Sequence, residues 1–179
     1  MEYIIQSLKN NFVVVLLEEK AYEPRVFEFL NEISKKDKRI CYVLINNFYA
    51  EAKKQFRKNG VSLKNIFFID ILSMHYEKLK NESHCMYIKG PDIPILLIAI
   101  GKTIKNKKCK IVLFDNIGSL LTYYPTVEIE KLTNTLKTNN GYRDTKKLYL
   151  MQKNYELLQE EAKNLINDLQ LFADKIIEV

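Results

Sequence analysis

Tryptophan is absent from the 179 residues, and glycine, proline and cysteine are scarce at five, four and three copies. With so few turn formers and 47% apolar residues, the chain falls outside the disordered and low-complexity classes. No apolar run reaches the roughly 18 residues a membrane span needs. The start MEYIIQSLKNN also lacks the charged, apolar and cleavage regions of a secretory leader. A cytoplasmic protein with no membrane association is expected. The three cysteines, Cys41, Cys85 and Cys109, are odd in number and embedded in apolar stretches, so they read as reduced structural thiols. His75 and His84 with Cys85 match no metal-ligand spacing, and no metal is expected there.

Arginine is the other scarcity. The net charge of +6 comes almost wholly from lysine, with only Arg25, Arg39, Arg57 and Arg143 able to offer bidentate forks. The densest run, Lys102, Lys105, Lys107, Lys108 and Lys110, has no interleaved aromatic on which a base could stack. It reads as a solvated helix end and loop, and nucleic acid is disfavoured as a partner. The charge is uneven along the chain, +4 over residues 1–90, +6 over 91–153 and −4 over 154–179. The final acidic helix, with Glu156, Glu160, Glu161 and Asp168, reads as a solvated face whose opposition to the basic middle favours head-to-tail association.

What is present is an alternation of strand and helix patterns. Residues 12–17 form a continuous apolar run, as expected of a strand buried on both faces of a parallel sheet. Pro24 then opens a helix with Val26, Phe27, Leu30 and Ile33 inward, stopped by Lys35-Lys36-Asp37-Lys38. Residues 40–45 and 66–69 repeat the strand pattern, and residues 48–58 predict a helix with Tyr49, Ala52 and Phe56 inward, ended by Gly60. A short helix over 74–79, a small strand over 86–88 and a helix from Pro94 to about Thr103 follow. Residues 110–115 and 147–151 are further strands, separated by a helix opened at Pro125-Thr126. Leu158, Ala162, Leu165, Leu169 and Phe172 mark a last amphipathic helix before a strand at 175–179. The pattern predicts one α/β domain over 1–179, a three-layer sandwich with a mostly parallel sheet of about six strands.

Ligands of such folds bind at the carboxyl ends of the strands. Those positions hold Glu18-Glu19, Asn46-Asn47, Asp70, Asp115-Asn116 and Gln152. A phosphate-binding loop would stand after the first strand, where glycines let backbone N–H groups wrap phosphates and a lysine neutralises them. The loop reads Glu18-Glu19-Lys20-Ala21-Tyr22-Glu23-Pro24-Arg25, and the first glycine of the chain is Gly60. Gly101-Lys102-Thr103 resembles the tail of that motif, but Leu96 stands where its first glycine belongs, and Gly101 interrupts or ends a helix. Asp70 and Asp115 could share a cation if their strands were neighbours; otherwise they are acids that cap turns.

The stretch Lys110–Tyr124, an apolar strand ending in Asp115 and followed by Ser119 and Leu120-Leu121-Thr122-Tyr123-Tyr124, resembles the Walker B region of archaeal RecA-like ATPases of the KaiC type. Residues 66–73 resemble the third strand of that family, and residues 172–179 its terminal strand. The resemblance implies a RecA-like fold in which Asp115 holds the Walker B-like, cofactor-binding position. It also implies that the family's phosphate-loop lysine and hydroxyl fall near Tyr22 and Glu23, within a degenerate loop position formed by Glu18, Glu19, Lys20, Tyr22 and Glu23. The family's paired catalytic glutamates fall at Asn46 and Asn47, which cannot serve as a general base. The expectation is a non-catalytic regulatory or scaffolding module with no catalytic residue and no cofactor. Its implied partner is a protein, either itself or an active RecA-like ATPase. Two alternatives stay open: an ATPase with an unconventional phosphate loop, and a receiver-like signalling domain in which Glu18-Glu19 and Asp70 would hold magnesium.

Overall fold

A computed structural model of the chain describes Gln6 and residues 11–36, 38–76, 78–153 and 159–179. Asp37, Glu156, Leu158 and the side chain of His75, which figure in the sequence reading, lie outside the described residues. In chain order the elements are β1 (Phe12–Leu17), a 3-10 turn (Glu19–Ala21), α1 (Tyr22–Ser34), β2 (Ile40–Leu44), α2 (Tyr49–Lys58), β3 (Ile66–Asp70) and the short α3 (Ser73–Tyr76). They continue with β4 (Cys85–Tyr87), α4 (Ile93–Lys107), β5 (Ile111–Asp115), a second 3-10 turn (Ile117–Thr122), α5 (Thr126–Thr138), β6 (Lys146–Gln152), α6 (Gln159–Phe172) and β7 (Lys175–Glu178).

The strands form one parallel sheet in the order β4-β3-β2-β5-β6-β1-β7. It has seven members where about six were expected, because the small strand near residue 86 pairs with β3 through Phe68, Ile69 and Asp70. Side chains alternate cleanly across it. Val13, Val15 and Leu17 of β1 pack with α1 and α2, whereas Phe12, Val14 and Leu16 pack with α4, α5 and α6. Two cores therefore sandwich one sheet, which is the RecA-like three-layer arrangement. Each fully buried Val, Leu or Ile in these runs contributes roughly 1.5–3 kcal/mol relative to exposure. The three cysteines are buried free thiols, and burial pushes all of them up, Cys109 to about 12.

Three sequence expectations shift. Helix α4 continues to Lys107 and carries Gly101 in its interior, where a Cβ would stand 3.2 Å from Cε1 of Tyr142; that glycine admits a tyrosine ring and opens no phosphate loop. Asp70 and Asp115 do not end adjacent strands, since β2 lies between β3 and β5, which sets them ~10 Å apart in the sheet. The receiver arrangement fails for the same reason, because β2, β5 and β6 separate β1 from β3. The lysine run ends α4 as expected: Lys105 and Lys107 lie in its last turn, where the helix dipole favours cations, and Lys108 caps it in a left-handed conformation at φ 54°.

Candidate functional site

Alternation decides where the strand-end acids point. Asp115 continues the Ile111 and Leu113 side of β5, and Asp70 continues the Ile66 and Phe68 side of β3, so both face the layer of α1 and α2. Their surroundings differ. Asp70 is fully buried and accepts from the backbone N–H of Tyr49 (2.7 Å), Leu72 (2.9 Å) and Ser73 (2.8 Å) and from the Ser73 hydroxyl (2.5 Å). Helix α2 has no side-chain cap of its own, and the carboxylate of the neighbouring strand satisfies the first helical N–H instead. Asp70 is thus a knot that ties β3 to α2 and to the turn at Ser73.

Asp115 is half-buried and faces a cavity of about 180 Å³. The Tyr22 hydroxyl donates to Oδ1, and the Tyr42 hydroxyl donates to Oδ2 at 2.5 Å. Burial raises the Asp115 carboxyl above its ordinary 3.8; the two phenol hydrogen bonds oppose that rise and the nearby Glu23 carboxylate adds to it. Burial also pushes the Tyr42 phenol well up, and the charge of Asp115 reinforces this. The cavity is lined on its polar side by Glu23, Asn46, Asn47, Gln55 and Gln152, with Phe27 and Phe56 among its apolar walls. Asn47 donates through Nδ2 to Oε1 of Gln55 at 3.4 Å, which joins the loop after β2 to α2.

The residues of the loop after β1 are distributed around this cavity. Glu18 turns toward the sheet edge and pairs with Lys153 at 3.2 Å, while Lys153 also holds Glu178 at 3.1 Å. Three neighbouring strands, β6, β1 and β7, are cross-linked at their ends in this way. Glu19 and Lys20 occupy an exposed 3-10 turn. Tyr22 begins α1 with its ring 7% exposed, directed into the core and onto Asp115, and Glu23 stays exposed on the cavity rim.

Of the strand-end positions read from sequence, the fold therefore gathers Asn46, Asn47, Asp115 and Gln152 around one cavity, and brings Tyr22 and Glu23 to it from the loop. Asp70 and Glu18 are employed elsewhere. Sequence reasoning missed Tyr42 and Gln55. Tyr42 sits inside an apolar strand and reads as packing, and only its parity with Leu44 signals the face it shares with Asp115. Asp174 was also passed over; its Oδ2 accepts from the backbone N–H of Asn11 and Phe12, both at 2.9 Å, and so fixes the start of β1.

Among the described residues, no three His, Cys, Asp or Glu side chains cluster as a metal site, and no helix is long and apolar enough to cross a membrane. No protein-family model and no curated protein matches the chain. Solved structures do match it in fold. A KaiC-like protein from the hyperthermophilic archaeon Pyrococcus horikoshii superposes with a TM-score of 0.64 at 12% identity, over 94% of this chain and 70% of that one. An uncharacterized protein from Pyrococcus horikoshii, crystallised with an unknown peptide, superposes with a TM-score of 0.74 at 12% identity, over 99% of this chain and 82% of that one. At that identity the likeness is one of architecture, and the chain has the RecA-like fold of KaiC-like proteins.

Proposed function

We propose that this chain is a pseudo-ATPase: a RecA-like module that has lost its phosphate loop and acts in the cytoplasm as a regulatory or scaffolding subunit through protein contacts. The observation that carries the reading is the Tyr22 ring, whose hydroxyl rests on Asp115 at the helix start where a triphosphate would need backbone N–H groups and a lysine. A magnesium nucleotide does not fit these residues. Both oxygens of Asp115 already accept phenols, no Lys or Arg lines the cavity, and Glu23 adds a second carboxylate that repels phosphate. The loop contains no glycine that would let backbone approach a phosphate. The neighbour crystallised with a peptide supports reading the fold as one that can hold another polypeptide. Its partner here is a second copy or an active RecA-like ATPase.

Thermal denaturation with ATP, GTP and their magnesium complexes tests the reading. The melting temperature is expected to stay unchanged, because a ligand stabilises only the state it binds. A rise with magnesium-ATP that disappears in Asp115→Ala would establish an ATPase with an unconventional loop instead.

A further inference from the structure

The hydrogen-bond polarity of the Asp115 cavity says what kind of group it accepts. Tyr22 and Tyr42 both spend their only hydroxyl hydrogen on the carboxylate, so each phenol oxygen keeps acceptor lone pairs alone. A carboxylate offers about four acceptor positions, and the two phenols fill two of them. The floor of the cavity is therefore composed of acceptors. Glu23 adds a negative charge at the rim, and the side-chain carbonyls of Asn46, Asn47 and Gln152 supply further acceptors. No cationic side chain lines the space. The walls include the rings of Tyr22, Phe27, Tyr42 and Phe56, faces over which a cation is attracted.

The volume narrows the choice. About 180 Å³ lies below the roughly 300–1,000 Å³ that encloses a drug-sized ligand, but it admits the end of one long side chain. A guanidinium suits such a lining better than an ammonium: it is planar, weakly hydrated, carries five donors and stacks on aromatic faces.

We propose that this cavity is an anchoring pocket for an arginine side chain presented by a protein partner. The proposal rests on the non-catalytic reading above and names the chemistry by which the module holds its partner. The site has the opposite polarity to a phosphate site: it offers acceptors and negative charge to a donor-rich cation.

The test titrates the full chain with four probes: a capped Gly-Arg-Gly peptide, the same peptide with citrulline in place of arginine, free agmatine, and magnesium-ATP. Chemical shifts and melting temperature are the readouts. The arginine peptide is expected to bind saturably in the millimolar range or tighter, with perturbed resonances from Tyr22, Tyr42 and Gln152. The citrulline peptide, isosteric and uncharged, is expected to bind at least about tenfold more weakly. Glu23→Lys, a change at an exposed position that leaves the core intact, should abolish binding, and Asp115→Asn should weaken it while the fold persists. Equal binding of the two peptides, no binding of the arginine peptide, or binding that survives Glu23→Lys would overturn the proposal. Binding of agmatine without the peptide would overturn the protein partner in favour of a free guanidino compound. A response to magnesium-ATP would sink the non-catalytic reading itself, whereas silence from all guanidino probes with ATP also silent would sink only the arginine pocket.

Discussion

Asp70 and Asp115 look alike in sequence, each closing an apolar strand, and both face the same helical layer, yet their environments have opposite consequences. Asp70 has no solvent exposure and meets three backbone N–H groups and a hydroxyl. Its charge is matched by the ends of the chain segments it holds together, so it is part of the folding problem. Asp115 meets two phenols and a cavity, so its charge is only partly compensated and remains open to a ligand. A strand-end carboxylate becomes a structural knot or a site according to whether backbone donors or side chains close around it.

The comparison is broken most severely at Asp70. Asp70→Ala strands the Tyr49, Leu72 and Ser73 N–H groups and is expected to destabilise the fold by about 3 kcal/mol or more, read as a lowered urea midpoint. Tyr42→Phe comes next: a fully buried side chain loses its hydrogen bond to a charged group, with an expected cost of about 1.5–3 kcal/mol in the same titration.

At Asp115 itself the effect is one of pH more than of magnitude. Its folded pKa lies above its ordinary 3.8, so the folded state holds the proton more tightly than the unfolded state. The stability this contributes is complete below 3.8 and is lost as pH rises through the folded value. Urea midpoints of the wild type measured against Asp115→Asn are expected to fall with rising pH across that window and level off above it. A flat difference, or one that rises, would mean that the phenols outweigh burial. The smallest effect is expected at the rim, where Glu18→Gln removes one of the two carboxylates on Lys153 in an exposed network. No measurable change in midpoint should follow, and added salt should make no difference to that result.

Much of this molecule was legible in advance because strand burial is written in continuous apolar runs. The run Phe12–Leu17 is buried on both faces, and the stripe Tyr49, Ala52 and Phe56 faces inward on α2. The absence of glycine before Gly60 and the carboxylates after β1 were equally plain. The length of α4 was not, because Gly101 ends or interrupts many helices and here is retained for the ring of Tyr142, a residue forty-one positions away. Strand adjacency was not legible either. Periodicity reports which face a side chain takes and says nothing of which strand lies beside it.

The sequence by itself determined the α/β alternation, the buried central strands, the three reduced thiols and the unsuitability of the first loop for wrapping a phosphate, since each of these depends on local composition and period. Tertiary structure alone decided that β6 would lie between β1 and β5, that Tyr22 and Tyr42 would meet on Asp115, and that Asp70 would serve α2. Those contacts join residues 93, 73 and 21 positions apart, and only the order of strands in the sheet brings their side chains within hydrogen-bonding distance.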